Sequence, residues 1–273
     1  NYLLIGTDAT GNNKNGADYQ GSMADFLMLV IVDKTENTYS FLQFNRDTMT
    51  EVALIDHNGE GEATANIQLC TAHWYGGNRE QSCENTVKSV KKLLGGIQID
   101  GYYELNMSEI PKLNNMVDGV TVTLEDDFSK KYPKMKKGAT INLDDEQAYA
   151  YVHDRYGVGN EENTSRMKRQ QQYMTGFFKK LQEKVKANPN YANEVFESLQ
   201  DVSTTDITIG KISNISNIFA SGTDKGIFEL AGKSKIGQAL GDEIDHMEFY
   251  VNKKAMVSTM SELFGIVEQK NKE

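Results

Sequence analysis

A chain of 273 residues with 38% hydrophobic and 25% charged residues is long enough to bury a large core and too ordinary in composition to be disordered. A net charge of -10 excludes broad nucleic-acid binding, which needs a basic footprint, and no run approaches the roughly 18–20 apolar residues of a membrane span. Any anion site in such a chain must be local, so the arginines are informative: there are five, at 46, 79, 155, 166 and 169, against 24 lysines.

In chain order, Tyr2–Ile5 is a short apolar strand that ends on Gly6 and delivers Asp8. Residues 9–22 are rich in Gly and Asn and predict a loop. Phe26–Val32 is a continuous apolar run, as expected of a central strand covered on both faces, and Thr38–Phe44 is a strand passing into Asn45-Arg46-Asp47. If these two strands form a hairpin, Asp25 at the start of one and Arg46 at the end of the other share a sheet edge. Asp8 joins them from a neighbouring strand. Strand ends beside a long loop are where open α/β sheets place ligands.

Cys70 and Cys83 flank the Gly-rich turn 75–78, and either close a loop by a disulfide worth about 3 kcal/mol or remain two separate buried thiols. The disulfide, which suits an oxidising exterior compartment, is the expectation. With His73 as the one soft ligand nearby, a structural zinc site is not expected.

Helical periodicity runs over Asn85–Leu94, followed by a strand at Tyr102–Asn106, a helix capped by Ser108, and a strand at Val120–Leu124. The five lysines within 130–137 read as a solvated hairpin tip. Acidic residues 144–146 open a helix that delivers His153 and Arg155 into a Gly-containing loop. A long helix from about Ser165 to Ala187 then carries Arg166 and Arg169 near its start, three residues apart and so on one side. Helices at Tyr191–Gln200 and Ile212–Ala220, a strand at Glu248–Val251 and a helix at Lys254–Phe264 complete the pattern. Alternating strands and helices, with no repeat or linker, predict one domain over 1–273: an α/β fold in three α-β-α layers, with a mixed central β-sheet sandwiched between α-helices.

Arginines opposite acids on a helix are commonly solvated pairs. Here three of five crowd residues 155–169, and the guanidinium fork suits bidentate phosphate recognition. Two carboxylates, Asp8 and Asp25, beside such a cluster suit phosphoryl transfer assisted by Mg²⁺.

The ordered set LLIGTD, MADFLMLVIVD, FLQFNRDT, TANIQLCTAHWYGG, TVKSVKKLLGGIQIDGYYELN, MVDGVTVTL, AYAYVHDR and SRMKRQQQ resembles the LytR-CpsA-Psr family of bacterial cell-wall enzymes. The resemblance spans almost the whole chain. It implies transfer of an anionic glycopolymer, of the teichoic acid or capsular polysaccharide type, with its phosphate, from an undecaprenyl diphosphate carrier to N-acetylmuramic acid of peptidoglycan. Carried over, Asp8 and Asp25 hold Mg²⁺. Arg46, Arg155, Arg166 and Arg169 bind diphosphate oxygens, with Gln170 and His153 alongside. Asp47 orients the arginines, and Asp25 can also take the acceptor proton. The leftover arginine, Arg79, reads as a surface residue of the cysteine loop.

The resemblance implies a groove for the polyprenyl tail, for which Leu93, Leu94, Phe177 and Leu181 are candidates, ordinary core being the competing reading. It also implies an exported protein at the outer face of the bacterial membrane, with an anchor expected before Asn1. Three departures from the pattern stand out: His153 replaces an arginine, Asn163-Thr164 an acidic position, and Asn45 a proline. A lipid-binding scaffold without turnover and a polyprenyl diphosphatase are the competing functions. Regulation through DNA gains nothing from an acidic chain.

Overall fold

The computed structural model describes residues 1–8, 19–61 and 63–265, so the predicted loop at 9–22 lies largely outside the described residues. In chain order the elements are strands β1 (Tyr2–Thr7), β2 (Ala24–Asp33), β3 (Thr38–Gln43), β4 (Met49–Ala53) and β5 (Thr64–Gln68), helix α1 (Arg79–Leu93), strand β6 (Gly101–Asn106), helix α2 (Ile110–Met116) and strands β7 (Thr121–Thr123) and β8 (Thr140–Asn142). Helices α3 (Asp145–His153), α4 (Asn163–Ala187) and α5 (Tyr191–Ser198) follow, then strand β9 (Ser203–Thr205), helix α6 (Ile209–Ser221), strands β10 (Thr223–Glu229), β11 (Gly232–Gly237) and β12 (His246–Val251), and helix α7 (Lys253–Phe264).

The main sheet is six-stranded, in the order β10-β3-β2-β1-β6-β9. It is mixed: β1–β2, β2–β3 and β6–β9 are antiparallel, whereas β1–β6 and β3–β10 are parallel. Alternation along the central strands splits the core into two. Leu3, Ile5, Leu27, Leu29 and Ile31 point to the side covered by α1 and α7, where Val90 and Met260 pack. Leu4, Phe26, Met28 and Val30 point the other way, toward Phe178 of α4 and Phe219 of α6. The sheet is therefore covered on both faces, as its apolar strands predict.

Helix α4 carries the second layer. Met167, Gln170, Tyr173, Phe177 and Val185 form its buried stripe. Gly176 lets it lie against β7, because a Cβ there would sit 2.6 Å from Val120 Cγ1. Helix α3 begins with a capping box in which Asp144 and Gln147 exchange side chain to backbone hydrogen bonds.

Several boundaries differ from the sequence expectation. Helix α1 starts at Arg79 rather than Asn85, because the Asn78 side chain caps it by accepting from Gln81 N. Ser108 does not cap α2: it lies in a short tight helix, Met107–Glu109, capped by Asn106, which accepts from Ser108 N, and α2 follows after Glu109 without a side-chain cap. Neither the β4–β5 hairpin nor the edge strands β9 and β10 was anticipated.

The disulfide expectation is corrected: both cysteines are free and buried. Cys70 lies in a short tight helix, Leu69–Trp74, and Cys83 lies inside α1. Each has its own partner. Cys70 Sγ accepts from Arg46 at 3.4 Å, and Cys83 Sγ sits 3.6 Å from His73 Nε2. His73 Nδ1 must donate to the Ser22 carbonyl at 3.0 Å, which leaves Nε2 to accept from the thiol. Burial depresses the His73 pKa, consistent with this neutral form.

Candidate active site

Strands β1 and β3 both run antiparallel to β2, so the C-terminal ends of β1 and β3 meet the start of β2 at one edge. Thr7 pairs with Ala24, and Phe44 N–H donates to Leu27 O at 2.9 Å. That register brings Asp25 between Asp8 and the Asn45-Arg46-Asp47 turn, as the sequence predicts.

Asp25 is 8% exposed and is paired with both Arg46 and Arg166, the latter at 3.3 Å; both contacts fall on Oδ1. Arg46 also lies 3.5 Å from Asp47 Oδ1 and donates to Met23 Sδ at 2.9 Å. Arg166 donates to Asn163 Oδ1 at 2.9 Å. Among the described residues, the buried Nε–H groups of Arg46 and Arg166 have no hydrogen-bond partner. Burial, with the nearby Arg46 and Arg155 charges, pulls the Arg166 pKa down to about 10. Guanidinium groups held this close to one another favour an added anion. Burial pushes the Asp47 carboxyl up, against the opposing pull of Arg46, Arg166 and Arg155.

From the α3 side, Arg155 is half-buried and lies over the Tyr156 ring at 4.6 Å, with Tyr156 itself 76% exposed. His153 stacks on Tyr149 at 4.7 Å, with Asp154 Oδ1 at 3.3 Å and Asp8 Oδ1 at 3.6 Å. Its pKa is raised, chiefly by the hydrogen bond to Asp154 and despite burial, with Asp8 adding to the effect. A raised pKa means the imidazolium is complete below the ordinary value and is lost as pH rises through the folded one. Pyrophosphate affinity, measured by calorimetry between pH 5 and 8.5, is therefore expected to be highest in acid and to fall toward alkali. A flat profile would remove His153 from the anion site.

Two expected ligands are placed differently. Arg169 is 1% exposed and each of its three nitrogens has a partner within the protein: Nε donates to the Tyr151 carbonyl at 2.9 Å, Nη1 to Asp126 at 2.5 Å and Nη2 to the Asp154 carbonyl, and the group lies over the Phe128 ring. It braces the end of α3, and with it the loop that carries Arg155, rather than facing a ligand. Replacing Arg169 with Ala is expected to lower unfolding stability by about 3–5 kcal/mol, the cost of breaking a buried pair, as read by urea denaturation. A variant as stable as the parent would return Arg169 to the ligand set. Gln170, 2% exposed, is likewise a strut, donating to the Val152 carbonyl at 3.1 Å and accepting from Gln43 at 3.2 Å.

The fifth arginine, expected on the surface of the cysteine loop, is also corrected. Arg79 pairs at 2.5 Å with Glu104, a fully buried carboxylate that also accepts from Thr7 Oγ1 at 2.7 Å. Asp126 was not anticipated, and its setting among neighbouring acids gave no signal. Its carboxylate lies against Gly159, at φ +58°, where a Cβ would sit 2.5 Å away.

Beside this cationic edge, between the sheet and α4–α6, an almost wholly apolar cavity of about 310 Å³ opens. Leu4, Phe26, Val30, Met174, Phe177 and Leu181 contribute to its walls, and Val152 and Gln170 form its end nearest the arginines. Phe177 and Leu181 line this cavity and also pack in the core cluster beneath α4. Leu93 and Leu94 do not line it: they pack in the core on the opposite face of the sheet. The helix that carries them, α1, covers that other face.

Among the described residues, no group of three or more His, Cys, Asp or Glu side chains is set to hold a metal. Asp8 and Asp25 supply hard oxygen donors at one edge, a set that fits Mg²⁺ completed by phosphate oxygens and water and does not fit a closed zinc site.

Among curated proteins, the Bacillus cereus (strain AH820) polyisoprenyl-teichoic acid–peptidoglycan teichoic acid transferase TagU is 29% identical over 178 residues, 65% of this chain and 51% of that protein. The chain spans about half the length of that relative. Among solved structures, a Streptococcus agalactiae protein superposes with TM-score 0.75 at 21% identity, over 96% of this chain and 85% of that one. Bacillus subtilis TagT does so with TM-score 0.65 at 22% identity, over 97% and 89%. At this identity the structural likenesses speak for the fold. The LytR_cpsA_psr family model matches residues 1–264, and the chain belongs to that family.

Proposed function

We propose that this chain transfers an anionic glycopolymer of the teichoic acid or capsular polysaccharide type, with its phosphate, from undecaprenyl diphosphate to N-acetylmuramic acid of peptidoglycan. The observation that carries the reading is the junction of two opposite environments: the Asp25–Arg46–Arg166 edge meets an apolar cavity at Val152 and Gln170. Such a junction suits an amphiphile with a polyanionic head and a hydrocarbon tail. The relative named as a teichoic acid transferase supports the choice of head group and acceptor.

In this reading Arg46, Arg155 and Arg166 grip the diphosphate oxygens, and Phe177 and Leu181 help hold the tail. Asp47 fixes Arg46. The acceptor hydroxyl attacks the phosphorus that bears the glycan, the bond to the departing undecaprenyl phosphate breaks, and Asp25 takes the hydroxyl proton. Mg²⁺ held by Asp8 and Asp25 would neutralise charge on the diphosphate. The membrane is the donor lipid's home, so the domain works at its outer face; among the described residues no helix is long and apolar enough to cross it.

The test is transfer of a polyprenyl-diphosphate-linked glycan to a peptidoglycan oligomer, with Mg²⁺ and with EDTA. Metal-dependent product that disappears in Asp25→Ala supports the reading. Lipid binding without product favours a scaffold, and phosphate release without acceptor favours a diphosphatase.

A further inference from the structure

Asn163, the first residue of α4, ties the two halves of the cationic edge together. Its Nδ2 donates to Asn45 Oδ1 at 3.1 Å and to Asp47 Oδ2 at 3.3 Å, while its Oδ1 accepts from Arg166 at 2.9 Å. Asn45 Oδ1 is itself pinned by the Asp47 N–H at 2.9 Å. Asn163 is only 9% exposed, so these bonds are made largely away from water.

Among short side chains only an amide can donate twice, here to Asn45 and Asp47, while accepting from a guanidinium; a hydroxyl has a single hydrogen to give. A carboxylate at 163 would keep the Arg166 contact and set an unprotonated oxygen against both Asp47 and the Asn45 carbonyl. An alanine would leave Asp47 and Arg166 each short of a partner. Charge points the same way. Arg46, Arg155 and Arg166 act on Asp47, with Asp25 as the other carboxylate in contact with Arg46 and Arg166. Asp8 also acts on Arg46, so the edge already holds three acids beside its three arginines; a neutral link adds no negative charge there, and a fourth acid would tip the balance against an anion. Asn45 and Asn163 are two of the positions at which the sequence departs from the resembled pattern, and they bond to each other.

We propose that Asn163 is a positioning residue: a neutral amide connector that fixes Asp47 against Arg166 without adding a further negative charge to an edge that takes a diphosphate-class anion. The inference rests on the reading of this edge as a diphosphate site.

The experiment compares Asn163→Asp, Asn163→Ala and the double variant Asn163→Asp with Asp47→Asn. In Asn163→Asp, two carboxylates about 3 Å apart share one proton, and the protonated acid imitates the amide. Arg46, Arg155 and Arg166, which face the pair, draw its proton off at lower pH without abolishing the coupling. The melting temperature should match the parent in acid and fall below it as pH rises, and the added Asp47→Asn change should flatten the profile. At pH 8, affinity for inorganic pyrophosphate and transfer kcat should both fall about 10- to 100-fold in Asn163→Asp, with KM for the peptidoglycan acceptor unmoved. Asn163→Ala should lose less and show no new pH dependence. A melting profile for Asn163→Asp that tracks the parent at every pH, or unchanged pyrophosphate affinity in both single variants, overturns the proposal. A parent that binds no pyrophosphate and transfers nothing overturns the diphosphate reading instead, while the melting profile still decides the connector.

Discussion

Replacing Arg46 with Ala is expected to reduce glycopolymer transfer about 10³-fold or more, within the range an arginine contributes when it stabilises charge on a transferring phosphoryl group. Arg46 reaches Asp25, Asp47, Met23 and Cys70 from a single fork, so it fixes both the geometry and the net charge of the edge. Its buried Nε lies 3.5 Å from Asp47 Oδ1 and makes no hydrogen bond among the described residues. Lysine should not rescue: one ammonium point charge cannot hold two carboxylates and a phosphate in a plane. Removing the fork leaves Asp25 with Arg166 as its remaining guanidinium partner, so some stability will be lost as well. Measuring kcat/KM beside a urea denaturation curve separates the two effects. Transfer within tenfold of the parent, in a folded Arg46→Ala protein, would remove Arg46 from the chemistry.

The cationic edge was legible because its determinants are topological. Two apolar runs joined by a tight turn fix an antiparallel pair, and that pair forces Asp25 and Arg46 together. Scarcity of arginine made the rest visible. Which arginines face a ligand was not legible, because a guanidinium carries the same charge whether it meets phosphate or backbone carbonyls. Positions 166 and 169 differ by about 60° around a helix. That angle is enough to send Arg166 to Asp25 and Arg169 to the carbonyls of Tyr151 and Asp154. Arg79 was misread because a carboxylate buried at Glu104, in a different element, decides where it goes. The cysteine expectation failed for a related reason: spacing in sequence does not say which way a thiol faces, and Cys83 of α1 faces His73 while Cys70 lies against Arg46. Leu93 and Leu94 look no different from Phe177 and Leu181 on hydrophobicity, and only the sheet assigns them to opposite faces. The edge strands β9 and β10 lack the apolar runs of the centre, and their burial is partial at best, so they gave little periodic signal.

Filling the apolar cavity should separate tail recognition from head recognition. Val30 lies on β2, on the face turned to α4, and lines the cavity without belonging to the cationic edge. A Val30→Trp change puts an indole into a space of about 310 Å³ whose walls are the sheet and residues of helices α2 to α6. Each methylene of a prenyl chain denied burial costs about 0.8 kcal/mol, so excluding three or four of them weakens a polyprenyl diphosphate about 100-fold. Inorganic pyrophosphate touches none of that surface, and its affinity should be unchanged. The pair of measurements also controls for damage, since a variant that misfolds loses both ligands. If Val30→Trp binds the polyprenyl diphosphate as tightly as the parent while remaining folded, the cavity is core packing and the tail lies elsewhere. If the lipid is lost and pyrophosphate retained, the head and the tail are held by the two environments that meet at Val152 and Gln170. Transfer from a short-chain donor should then survive in the variant, because its head group reaches the arginines without needing the cavity.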